Sequence, residues 1–122
     1  MKTLFCTLIL AAGLSSVAMA QEGVAVSPSK TEIAAGKTSG NFKFTLPEGT
    51  TAEDVAQNSK YYTHYFTVNY DAKSRVADIT MISNDEKSRS VIIRFLVANS
   101  VEKLNIDGTL VSTGDYFEKY LK

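Results

Sequence analysis

Residues 66–82, FTVNYDAKSRVADITMI, constrain the fold of this chain more than any other stretch. Folded back antiparallel with Asp71 facing Val76 across the loop Ala72–Arg75, the segment sets Phe66 against Met81, Val68 against Ile79 and Tyr70 against Ala77. The alternate positions set Thr67 against Thr80 and Asn69 against Asp78. Strand side chains alternate between faces, so this register sorts the apolar pairs to one side and the polar pairs to the other. A slip of one residue would scramble both. Each cross-strand pair contributes about 0.2–1 kcal/mol, and a lone hairpin is marginal in water. The apolar face therefore demands further strands and a cover from the rest of the chain.

The first twenty residues read as a secretory signal peptide. Lys2 gives a positive n-region, Leu4 to Leu14 an apolar h-region, and Ala18-Met19-Ala20 an A-x-A cleavage site. The single cysteine, Cys6, lies inside it, too far from the cut to be a lipoprotein cysteine. The exported protein, expected to begin at Gln21, then has no disulfide, thiolate metal site or thiol nucleophile. A periplasmic or secreted location follows, with no membrane attachment after cleavage. A small domain without disulfides depends on its apolar core, for which six Tyr and six Phe (Phe5 in the leader) are the main resource. Thirteen basic and thirteen acidic residues, neither clustered, give no basis for a nucleic-acid partner.

Residues 21–40, rich in Ser, Thr, Gly, Ala and Lys and without aromatics, read as a flexible leader to a domain spanning 41–122. The alternative takes Val24–Val26 and Thr31–Ile33 as short strands of an immunoglobulin-like sandwich. Phe42, Phe44 and Leu46 then alternate with Lys43 and Thr45 as a half-buried strand ended by Pro47. Thr50 or Thr51 can cap a helix carrying Glu53 and Asp54 in its first turn, where the helix dipole favours negative charge. Residues 83–100 admit a buried strand over 91–98. The capping-box spacing of Ser83 and Glu86 and the run of Lys87, Arg89 and Arg94 predict a helix instead, with Val91, Ile92, Phe95 and Ala98 on one face. A strand over 103–107, a turn at Asp107-Gly108 and a return through Thr109–Val111 follow. A last helix capped by Thr113 carries the stripe Phe117, Tyr120 and Leu121.

The predicted order from 41 to 107 is β-α-β-β-α-β. That is an α+β, ferredoxin-like sandwich with two helices on one face of an antiparallel sheet, followed by a short C-terminal hairpin and helix. In order and length the stretch resembles the heavy-metal-associated domain family of small metallochaperone modules. That family carries G-M-T-C-x-x-C after its first strand. Here the matching stretch is Gly49-Thr50-Thr51-Ala52-Glu53-Asp54-Val55, in which Gly49 and Thr51 match while Ala52 and Val55 replace the two cysteines. The resemblance implies the fold, and its departure removes thiolate binding of copper(I) or zinc.

Other constellations are sparse. His64 is the only histidine, so no His-pair metal site and no conventional Ser-His-Asp set can assemble. Its expected position is inward beside Phe66 and diagonal to Met81, closing the edge of an aromatic core or offering two ligands of a weak copper site. The run Tyr61-Tyr62-Thr63-His64-Tyr65-Phe66 is either core or, in part, a stacking platform for a sugar or peptide. Asp71, Asp78, Asp85 and Glu86 lack the spacing of a calcium loop. The sequence therefore predicts an exported, non-enzymatic binding module with no assigned catalytic, cofactor-binding or metal residues. Its partner is an unspecified protein or small molecule, met at the edge strand 66–71 or on the open sheet face. The alternative is a metal-handling relative of the heavy-metal-associated domains using a non-thiolate site.

Overall fold

The hairpin forms in the register that its alternation predicts. In the computed structural model, which describes residues 23–122, Phe66 pairs with Met81, Val68 with Ile79, Tyr70 with Ala77 and Asp71 with Val76. The predicted signal peptide and the cut before Gln21 lie outside the described residues. From Gly23 the order is β1 (Val24–Val26), α1 (Lys30–Ser39), β2 (Asn41–Thr45), α2 (Ala52–Ser59) and a 3₁₀ turn at Lys60–Tyr62. β3 (Phe66–Asp71), β4 (Val76–Met81), α3 (Glu86–Ala98), β5 (Lys103–Ile106) and β6 (Thr109–Ser112) follow. The chain closes with α4 (Thr113–Tyr116) and a π-helical turn, Phe117–Leu121.

Among the described residues the fold is α+β, a six-stranded mixed sheet in the order β3-β4-β2-β1-β5-β6 with four α-helices. The expected all-antiparallel sheet is corrected at one place. β1 lies between β2 and β5, antiparallel to the first and parallel to the second. The flexible leader expected over 21–40 is corrected with it, because from Gly23 onward this stretch is strand and helix. Val24–Val26 is a strand, as the sandwich alternative had it, but Thr31–Ile33 is helical.

Helix α1 forms because both of its ends are satisfied. The Ser29 side chain accepts from the Glu32 amide at 3.2 Å, and the Ser29 amide donates to the Glu32 carboxylate at 3.0 Å, a reciprocal capping box. Gly40, with φ of 82°, ends the helix in the left-handed region that a side chain would disfavour. Ile33 is the helix's apolar anchor in the core. Gly36 lies so close to β2 that a Cβ there would stand 2.6 Å from the Phe42 ring and 2.7 Å from the Asn41 carbonyl oxygen.

The ambiguous segment after the hairpin is helical. Its cap is Asp85 rather than Ser83: the Asp85 carboxylate accepts from the Ser88 amide at 2.7 Å, which holds its carboxyl below the usual carboxylate range. Val91, Ile92, Phe95 and Leu96 are buried, while Ala98, expected inward, is exposed. Arg89 is no dipole partner. It sits in the first turns of α3 and reaches the C-terminal segment, donating from Nε to the Leu121 carbonyl at 2.7 Å and from Nη2 to the Lys122 carbonyl at 3.0 Å.

One sheet face carries the core. Phe42, Phe44, Phe66, Ala77, Ile79, Leu104 and Ile106 are buried, whereas Lys43, Thr67, Asn69, Thr80 and Lys103 are exposed on the opposite face. Phe95 of α3 meets Phe66 edge-on at 5.8 Å between ring centroids, and Tyr116 of α4 meets Phe44 at 6.1 Å. Such aromatic pairs add about 0.5–1.5 kcal/mol beyond the area they bury. Ser112, not Thr113, caps α4, accepting from the Asp115 amide at 3.2 Å. The Tyr116 hydroxyl is wholly buried and 2.6 Å from Ser27 Oγ, tying the last helix to the end of β1; burial pushes the phenol well above its ordinary range. Asp107 and Gly108 both have positive φ, 51° and 88°, as a two-residue I′ hairpin turn requires.

Candidate interaction edge

β3 is the outer strand of the sheet on one side. Its backbone polarity is fixed by two bonds of its neighbour. The Met81 amide donates to the Gly40 carbonyl at 2.7 Å, so Met81 bonds towards β2; the Ile82 amide donates to the Tyr65 carbonyl at 2.9 Å, so Ile82 bonds towards β3. In an antiparallel ladder the direction alternates residue by residue. Thr67 and Asn69 therefore bond inward to Thr80 and Asp78, and the N–H and C=O groups of Phe66, Val68 and Tyr70 aim away from the sheet. Among the described residues, no loop or side chain hydrogen-bonds these outward groups.

The strand also lacks the devices that usually blunt a free edge. It has six residues, FTVNYD, with neither Lys nor Pro, and pairs with β4 without a bulge. The far edge, β6, has four residues and is correspondingly shorter. Side chains on β3 split as the pleat demands. Thr67, Asn69 and Asp71 are exposed on the open face, while Phe66 is buried and Val68 and Tyr70 are half-buried on the core side. The Tyr70 hydroxyl donates to the Thr50 carbonyl at 3.1 Å, and burial raises its phenol above the ordinary value despite the nearby Arg75 guanidinium. That bond pins β3 to the loop entering α2.

The aromatic run leading into β3 divides. Tyr62 and Phe66 pack with Phe95 around α3, with Tyr62 stacked on Phe66 at 6.0 Å and edge-on to Phe95 at 6.2 Å. Tyr61 is 71 % exposed and Ile82, beside the start of β3, is 60 % exposed. His64 is exposed in the turn before β3, whereas Met81 is buried in the core. The expected inward position beside Phe66 is thus corrected, because the chain is still turning at residues 63–65.

The open face is a weaker surface than the edge, because its polar groups already serve one another. Asn41 Nδ2 donates to Asp78 Oδ1 at 2.7 Å and to the Ile79 carbonyl at 3.2 Å. A cleft of about 700 Å³ at one end of the sheet is lined by Glu48, Asp54 and Glu102 together with Asn58 and Asn99. Its buried amide is occupied: Asn99 Nδ2 donates to the Phe95 carbonyl at 2.9 Å and its Oδ1 accepts from Asn58 at 3.0 Å. Of the positions matching the family's thiolates, Ala52 is exposed at the start of α2 and Val55 is in the core. Thr51 caps that helix, accepting from the Asp54 amide at 3.1 Å. Among the described residues, no three His, Cys, Asp or Glu side chains stand close enough to share a metal ion. No helix among them is long and apolar enough to cross a membrane.

Compared with known proteins, the chain finds no match among protein families, curated sequences or solved structures.

Proposed function

We propose that this chain is an exported, non-enzymatic binding module whose working surface is the outer edge of β3, which receives an extended segment of a protein partner as an added strand. The observation that carries the proposal is the run of outward backbone groups on Phe66, Val68 and Tyr70 in a six-residue edge without lysine, proline or bulge. Main-chain hydrogen bonds supply affinity in this mode, and the alternating side chains supply specificity. The scaffold reads as a ferredoxin-like unit, β2-α2-β3-β4-α3-β5, with β1 inserted in the sheet between β2 and β5 and β6-α4 added after it. The element order and the adjacency of β3, β4 and β2 support that reading. The resemblance to heavy-metal-associated domains is then one of topology, with the metal loop turned to capping α2.

The test uses extended peptides of alternating β-branched and polar residues, selected by display against the protein and mapped by NMR. Bound peptide should shift the resonances of residues 66–71. Val68→Pro removes an outward donor while leaving the β3–β4 ladder intact, since that N–H is not part of it. One hydrogen bond lost, about 1.4 kcal/mol, should weaken binding about tenfold. Peptides that map to the acidic cleft or the open face, or that bind Val68→Pro unchanged, would contradict the proposal.

A further inference from the structure

The β3 edge is self-complementary, and we propose that its partner is a second copy of this chain, joined antiparallel about a two-fold axis at Val68. The inference rests on the reading of β3 as the working edge and names the strand it receives. The outward-bonding residues Phe66, Val68 and Tyr70 are symmetric about Val68. A two-fold register pairing Val68 with Val68 and Phe66 with Tyr70 therefore brings every outward donor of one edge opposite an outward acceptor of the other.

The side chains agree with that register on both faces. On the core side, Phe66 faces Tyr70 and Val68 faces Val68, covering two side chains that are half-exposed in the single chain. The apolar row Met81–Phe66 continues into Tyr70–Ala77 of the second copy. On the open side Thr67 faces Asn69 twice, so the polar row Asn41–Thr80–Thr67 runs on into Asn69–Asp78–Lys43. No charge meets its like: the edge's one charged residue, Asp71, falls opposite Tyr65, and His64 falls opposite Ala72. Shifting the register by two residues would face Asn69 with itself or Thr67 with itself and leave outward groups at one end unpaired. The centred register is thus the one that uses the whole strand.

Sedimentation of the protein at concentrations up to about 1 mM should show a reversible dimer with a Kd in or below the millimolar range. Val68→Pro should weaken it at least about tenfold. Thr67→Lys combined with Asn69→Lys, two exposed positions that meet each other across the axis, should do the same by like-charge repulsion without touching the backbone. Val68→Cys in a Cys6→Ser background should form an interchain disulfide on mild oxidation. Directly paired residues of this class stand about 5.5 Å apart at Cα, within disulfide reach. A chain that stays monomeric throughout overturns the proposal, as does a dimer indifferent to both edge variants. A synthetic peptide spanning residues 65–72 separates the two readings. If it shifts β3 resonances while the chain stays monomeric, the edge accepts strands but self-pairing falls; if it shifts nothing while the display-selected peptides still shift residues 66–71, self-pairing falls and strand addition by another partner stands; if neither shifts them, both readings fall.

Discussion

Phe95→Ala is expected to lower the unfolding free energy by about 3–5 kcal/mol, a large share of the roughly 5–15 kcal/mol that a domain possesses. Phe95 is fully buried near the C-terminal end of α3 and meets both Phe66 and Tyr62 edge-on, so truncation removes transfer energy and two ring contacts and leaves a cavity. Neighbouring positions sharpen the test. Ile92 is also fully buried, one turn earlier on the same helical face, and Ile92→Ala should cost about 2–5 kcal/mol. Arg94, turned outward between them, is exposed, and Arg94→Ala should change stability by about 0.5 kcal/mol or less. Urea unfolding of the three variants reads all of this directly. Large losses at both Phe95 and Ile92 follow from a helix covering the sheet. A loss at Phe95 with almost none at Ile92 would mean a one-sided strand and a different fold.

Gly36→Ala is expected to destabilise the protein by about 1–3 kcal/mol, although helix propensity alone predicts the opposite sign. Replacing a mid-helix glycine by alanine normally gains about 1 kcal/mol, because glycine loses more backbone entropy on folding. Here the added methyl would meet the Phe42 ring at 2.6 Å and the Asn41 carbonyl oxygen at 2.7 Å. Neither can yield cheaply. Phe42 is wedged in the core, and the Asn41 carbonyl belongs to the start of β2. Overpacking should therefore exceed the propensity gain and push α1 away from β2. Equal or raised stability in thermal unfolding would show that α1 does not lie against the sheet in this way.

Much of this architecture is legible in the sequence, and the parts that are not have definite physical reasons. The hairpin register is specified pair by pair because one face is buried and one is wet, so the alternation of Phe66–Asp71 and Val76–Met81 leaves a single solution. The Asp107-Gly108 turn is equally explicit, since few dipeptides adopt two positive φ values in succession. Helix α1 is different. Its capping box, Ser29-Lys30-Thr31-Glu32, and its terminal glycine at 40 are both present in the sequence. Its apolar content is so low, with Ile33 as its one large buried side chain, that composition reads as a leader. What makes it a helix is local capping plus a close approach at Gly36, and the second of these is a tertiary fact. β1 is harder still: three residues whose position between β2 and β5 depends on a parallel pairing with a strand almost eighty residues away. Arg89 misleads for a related reason. A cation near a helix suggests dipole compensation, yet besides Asn84 its guanidinium holds the Leu121 and Lys122 carbonyls at the C-terminal end of the chain, which no local pattern signals.

The candidate edge was half legible. That residues 66–71 form an outer strand follows from the element order. Which backbone groups aim outward depends on the parity of the ladder, fixed by the bonds of Met81 and Ile82. The aromatic run before β3 could be assigned neither to core nor to surface from sequence, because the 3₁₀ turn at Lys60–Tyr62 breaks the strand periodicity there. Tyr62 and Phe66 consequently turn inward, while Tyr61 and His64 face solvent.

The most direct test of the account is residue-resolved amide hydrogen exchange along β3, followed by NMR in dilute solution. An open edge with the present register predicts alternation: slow exchange at Thr67 and Asn69, whose amides bond to β4, and fast exchange at Phe66, Val68 and Tyr70, whose amides face solvent. Raising the protein concentration should then slow the three fast amides selectively. Uniform protection along the strand at the lowest concentration, or alternation of the opposite parity, would show that the edge is covered or paired differently and would contradict the account.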